Sequence, residues 1–209
     1  MKESKPYKTI SSESHFTQKE KGSTFLGLAF PVTSLDDFAK FHSELKKKYF
    51  DATHICYAFR LMDNTSKFSD DGEPSGTAGK RILNAIYSQN LFNVALFVVR
   101  YFGGTKLGVG LLGKTYSECA SETLNAAKIK EMHPFLNLEV ISGFEFSNTI
   151  HHLVETLNAK IIKIEYLDKI HLKILIDPKK EADLRKRLFE ATSGTIKINS
   201  DEKIIFGEV

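Results

Sequence analysis

The chain has 209 residues, with 29 Lys+Arg against 26 Asp+Glu and a net charge of +3. At about 150 residues per domain this allows one large or two small domains, and the 42% hydrophobic, 26% charged balance excludes global disorder. The mild positive charge permits nucleic-acid contact but falls short of the footprint of a strongly basic binder, and the longest apolar run, the six residues Val94 to Val99, is far from the roughly 20 that cross a membrane.

Residues 1–6 read as frayed and lack the apolar segment of a secretory signal, so a cytoplasmic protein is expected. Strand signals fill 7–30, clearest over Ser23–Phe30, which stops at Pro31. Ser34, followed by Asp36 and Asp37, predicts the N-cap of a helix over 35–48. Lys46, Lys47 and Lys48 suit the negative end of its dipole. Thr53–Met62 alternates as a strand, with Ile55, Tyr57 and Phe59 on one face and His54, Ala58 and Arg60 on the other. A polar loop over Asp63–Gly72 and a helix over Gly76–Gln89 follow. Asn93–Tyr101 is a nearly continuous apolar run, as in a central strand buried on both faces. A glycine-rich loop, Gly103–Gly110, leads into a helix over Leu111–Lys128. From Pro134 onward the pattern is strand 135–142, helix 147–158, strands 160–166 and 170–176, helix 179–191 and strand 195–206. That βαββαβ order is the signature of a ferredoxin-like fold. The expected domains are 1–133 and 134–209, in an α+β protein. Residues 1–134 carry 18 basic and 14 acidic side chains, a net +4. The basic excess therefore lies in the first domain, as do the unusual motifs.

Three segments carry candidate chemistry. In Ser69–Gly79, the carboxylates of Asp70, Asp71 and Glu73 precede Pro74 and a run of small residues opening a helix. Ser75 or Thr77 can cap that helix. The carboxylates suit a self-capped loop, a surface recognition loop or a divalent-cation site. In Arg100–Gly110, the glycines Gly103, Gly104, Gly108 and Gly110 stand at a strand-to-helix junction. Arg100, Lys106 and the nearby Lys114 supply positive charge, and Tyr101 and Phe102 supply flat apolar surface. Cations, aromatics and glycines together suit a phosphate or a single-stranded nucleic acid, while a tight packing turn is the structural alternative. The spacing is neither that of a P-loop nor that of a dinucleotide fingerprint. In Thr53–Arg60, His54 and Arg60 share one strand face. The sequence shows no serine elbow, metalloprotease helix or Cys-x-x-Cys. Cys56 and Cys119, 63 residues apart, read as reduced core thiols. His151 and His152 read as a helix-surface pair.

The strings His54–Arg60, Asp70–Gly79 and Arg100–Gly108, in this order and spacing, resemble the Impact family, and the whole length resembles its bacterial YigZ branch. The resemblance implies an N-terminal domain of the ribosomal-protein-S5 domain-2-like fold and a C-terminal ferredoxin-like domain similar to the last domain of elongation factor G. It also implies association with RNA or the ribosome and no established reaction. Eukaryotic members are implied to be translation regulators carrying an additional N-terminal domain, which is not expected here. The sequence departs from the family pattern at Arg81, where proline is usual, at Leu111, where glycine is usual, and at Lys114, where arginine is usual. The expected function is non-enzymatic RNA or ribosome binding, with no cofactor and no metal. An enzyme acting on a phosphorylated small molecule or nucleotide, and a protein-interaction module, are the alternatives.

Overall fold

Strand β6 (Val94–Tyr101) is buried along all but its last residue. Its alternation sends Val94, Leu96 and Val98 into one apolar cluster and Ala95, Phe97 and Val99 into another, so the central two-sided strand expected from its composition is what forms. The structure, a computed structural model, describes residues 5–208. The frayed start expected for residues 1–6 lies outside the described residues over 1–4.

Around β6 stands an antiparallel sheet in the order β2-β3-β6-β4-β5, formed by β2 (Ser14–Glu20), β3 (Ser23–Pro31), β4 (His54–Arg60) and β5 (Ser66–Ser69). A short strand β1 (Tyr7–Ile10) precedes it. Helix α1 (Leu35–Lys48) covers one face, with Phe38 and Leu45 in the same cluster as Phe97. Its start is a capping box: Asp37 N–H donates to Ser34 Oγ, and Ser34 N–H donates to Asp37 Oδ2, each at 3.1 Å. Helices α2 (Gly79–Ser88) and α3 (Val109–Asn125) cover the other face. Gly27 lets α3 approach β3 closely, because a Cβ there would sit 1.9 Å from Thr123 Oγ1.

A second unit begins at Met132. Strand β7 (Ile129–Ser142) leads through a 3-10 turn (Phe144–Phe146) into α4 (Ser147–Thr156), followed by β8 (Lys160–Tyr166), β9 (Ile170–Ile176), α5 (Glu181–Ala191) and β10 (Lys197–Gly207). The antiparallel order β10-β7-β9-β8 is the ferredoxin-like arrangement. Its core joins Leu138, Val140, Leu172 and Ile174 to Ile150, Val154, Leu184 and Leu188 from the two helices.

Three expectations change. The polar loop after β4 contains β5, an edge strand whose first three residues are exposed, so it lacks the alternation that marks a half-buried strand. Helix α2 starts at Gly79 rather than Gly76, and α3 starts at Val109 and ends at Asn125. No helix is long and apolar enough to cross a membrane among the described residues.

Phe97 is fully buried and packs on Phe38 with ring centroids 5.7 Å apart. Phe97→Ala is expected to cost about 3–5 kcal/mol in urea denaturation. A loss below about 1 kcal/mol would contradict this central position.

Candidate functional site

The loop from Asp70 to Thr77 is organised by its own carboxylates. Helix α2 has Ala78 at its N-cap, a residue with no side-chain oxygen. Asp70 supplies the missing acceptors: Oδ1 takes the N–H groups of Ala78 and Gly79 at 2.9 and 2.8 Å, and Oδ2 takes that of Gly76 at 2.9 Å. Such capping satisfies orphan amides and places negative charge at the positive end of the helix. Ser75 and Thr77 therefore do not cap α2. Ser75 is exposed, and Thr77 Oγ1 donates to the Pro74 carbonyl at 2.6 Å. Asp71 ties the loop to β4. Its Oδ2 accepts the Ile55 N–H, and its carbonyl faces His54 Nδ1, both at 2.7 Å.

Glu73 turns inward, where its side chain is only 3% exposed. Its Oε1 accepts from Arg100 Nη1 at 2.5 Å and from the Tyr116 hydroxyl at 2.8 Å. Arg100 is 5% exposed and Tyr116 fully buried. Arg100 lies over the rings of Phe25 and Phe102, and its Nη2 reaches Ser23 Oγ at 3.5 Å. This corrects the reading of Arg100 as a free surface cation: its charge is matched inside the protein. Asp70, Asp71 and Glu73 spend oxygens on three separate sets of donors, which argues against a shared divalent cation. Among the described residues no three His, Cys, Asp or Glu side chains converge as a metal site.

Cys56 Sγ donates to the Asp70 carbonyl at 3.0 Å and lies 3.4 Å from the Tyr116 hydroxyl. Burial pushes the Cys56 thiol and the Tyr116 phenol well above their ordinary values. Burial also pushes Cys119 up to about 12. Both thiols therefore stay protonated and make poor nucleophiles.

Glu73 and Arg100 help line a cleft of about 440 Å³, together with His54, Gly72, Pro74, Phe102, Lys106, Gly108 and Val109. Gly108 is the N-cap of α3 at φ +77°, and no side chain among the described residues caps the helix. The first amides of α3 therefore lack intrahelical acceptors, beside the exposed Lys106. Phe102, 46% exposed, offers a ring at the same rim. Gly103 serves packing. A Cβ there would sit 1.9 Å from the Gly22 carbonyl carbon, so only glycine lets the two backbones meet. Gly104, at φ +83°, turns the loop outward.

The remaining sequence candidates lie elsewhere. The Tyr101 ring packs toward the α1 face, and its hydroxyl donates to Asp51 at 3.0 Å. His54 and Arg60 share a strand face but occupy opposite ends of β4. Arg60 stacks on Phe92 at 3.5 Å and on Tyr87 at 4.7 Å. Lys114 pairs one helical turn on with Glu118 at 3.6 Å and is 69% exposed. Tyr116 and Ser23 were not singled out by sequence, because a tyrosine in an amphipathic helix and a serine at a strand start read as ordinary positions. A groove of similar volume between α1 and the β2–β3 hairpin is lined by Leu26, Leu28, Phe30 and Phe41 and holds no uncapped helix end.

Residues 21–124 match the Impact N-terminal domain, and residues 148–195 match a domain of unknown function, DUF1949. An IMPACT family member of Haemophilus influenzae is 30% identical over 189 residues, 88% of this chain and 91% of that protein. The IMPACT family member YvyE of Bacillus subtilis is 29% identical over 199 residues, 90% of this chain and 92% of that protein. A crystal structure of a hypothetical protein superposes with a TM-score of 0.68 at 24% identity, over 96% of this chain and 99% of that one, which shows the shared fold.

Two outcomes follow from the buried pair and the buried thiols. Arg100→Met strands the Glu73 charge and is expected to cost about 3–5 kcal/mol in urea denaturation. The Glu73→Leu/Arg100→Met double variant should lose less than the sum of the two single losses. A thiol reagent at mildly alkaline pH should label neither cysteine in the native protein and both in denaturant. Rapid native labelling of Cys56 would contradict its burial.

Proposed function

The chain belongs to the IMPACT family, and on that footing we propose that it is a non-enzymatic, translation-associated protein that binds RNA or the ribosome through the cleft at the start of α3. The observation that carries this reading is the convergence of Lys106, the uncapped N-terminus of α3 and the exposed Phe102 ring on one cleft. Helix N-termini and a lysine attract a phosphate, and an exposed aromatic ring stacks a base. The floor does not oppose an anion, because Arg100 matches the Glu73 charge directly beneath. The working surface thus differs from the sequence expectation. Lys106 and the backbone amides supply the anion contacts, and Arg100 holds the floor.

The test is co-sedimentation with ribosomes from a bacterial lysate at about 0.1 M salt and again at high salt. Binding at low salt that falls at high salt, and that Lys106→Ala weakens, is the expected result. Titrated against a single-stranded RNA, Lys106→Ala should lower the salt slope by about one relative to the parent chain. Free protein in both salt conditions, or an unaltered slope, would count against this surface.

A further inference from the structure

We propose that the cleft tells RNA from DNA, using Glu73 Oε2 and His54 Nε2 to engage the ribose 2′-hydroxyl of the strand it holds. The inference rests on the RNA-binding reading above and assigns that site its sugar selectivity.

The two oxygens of the Glu73 carboxylate are unequally bonded. Glu73 Oε1 accepts two hydrogen bonds, from Arg100 and Tyr116. Oε2 accepts none among the described residues; the side chain is 3% exposed, yet Oε2 is not among the fully buried unpartnered atoms, and His54 Nε2 stands 3.9 Å away. That separation is too long for a direct hydrogen bond. A carboxylate oxygen that retains access to the cleft takes a donor from that side, from water or from a ligand. Both His54 and Glu73 line the cleft, so the cleft is the side from which a donor can arrive.

The imidazole is held in a defined orientation. His54 Nδ1 lies 2.7 Å from the Asp71 carbonyl, which only accepts, so Nδ1 carries a proton and Nε2 is the nitrogen left for the cleft. Gly72, at φ +89°, lies beside the ring, where an added Cβ would stand 3.3 Å from His54 Cε1. An oxygen at about 2.8 Å from each atom bridges the 3.9 Å gap between Nε2 and Oε2. A hydroxyl placed there donates its proton to Oε2. With its proton on Nδ1, the imidazole offers Nε2 as a second acceptor for the same hydroxyl proton. The subsite thus suits a hydrogen-bond donor, which the 2′-hydroxyl supplies. Deoxyribose presents only C–H at this place and leaves Oε2 without a donor. The surrounding groups specify a nucleotide strand rather than any other alcohol: Lys106 and the α3 amides for phosphate, and Phe102 for a base.

The experiment is fluorescence anisotropy at low salt with three labelled oligonucleotides of equal length: oligouridylate, oligodeoxyuridylate and 2′-O-methyl oligouridylate. The full-length chain is expected to bind the ribo strand about tenfold or more tighter than the deoxy strand. The 2′-O-methyl strand, which has lost its donor, should fall to the deoxy level or below. His54→Asn retains an N–H able to reach the Asp71 carbonyl but removes Nε2, and it should lower the ribo-to-deoxy ratio at least threefold. Lys106→Ala should weaken both strands by the same factor and keep the ratio. Equal affinity of the parent for ribo and deoxy strands, with Lys106→Ala weakening both, would overturn the selectivity and leave the binding site standing. A ratio unchanged in His54→Asn would likewise overturn it. No binding of any strand would overturn both readings.

Discussion

Glu73 and Arg100 place opposite charges where the first unit would otherwise be apolar, and neither is tolerable there without the other. Taking both from water costs several kcal/mol each. The return comes from a contact at 2.5 Å and a second hydrogen bond from Tyr116. The pair joins three parts of the chain: the loop before α2, the end of β6 and the middle of α3. Asp70 and Asp71 then hold the rest of that loop against α2 and β4. The acidic loop is thus internal scaffolding, and its rigidity places His54 and the second Glu73 oxygen on the cleft wall.

What remains on the cleft surface after this internal matching is small and specific. Lys106 and the bare start of α3 supply positive potential, and Phe102 supplies an exposed ring. Within the first unit α1 is capped by a reciprocal box and α2 by a remote aspartate, while α3, like α4 and α5 of the second unit, starts without a cap from its N-cap side chain. Unsatisfied amides at such a place are compatible with stability because water or an anion can take them. Labour is divided: buried charges hold shape, and weakly committed groups at the rim are left for the proposed ligand.

Much of the architecture was legible in the sequence because the patterns were strong. Ser34 with Asp37 marked the start of α1, the run Val94–Val99 marked the central strand, and the alternation in 135–206 marked the ferredoxin-like order. Strand β5 was illegible because an exposed edge strand carries little apolar signal beyond Phe68. The site was half legible. Glycines, aromatics and cations drew attention to the segments that line the cleft. Sequence could not show that Arg100 folds inward, since its partner stands 27 positions away in another loop. Nor could it separate Tyr101, the last residue of β6, whose hydroxyl pairs with Asp51, from Phe102 just beyond the strand, whose ring is exposed. Ser75 and Thr77 looked like caps by residue type, but Asp70 reaches the same amides from outside the helix.

The start of α3 and Lys106 are the proposed nucleic-acid surface beside the buried pair. The most direct measurement is an amide chemical-shift titration of the labelled protein with a short single-stranded RNA at low salt. The account predicts the largest shifts at Lys106, Val109, Gly110 and Leu111, with smaller ones at Gly72 and Glu73. Saturable shifts confined to the second unit, with the α3 amides unmoved, would contradict it.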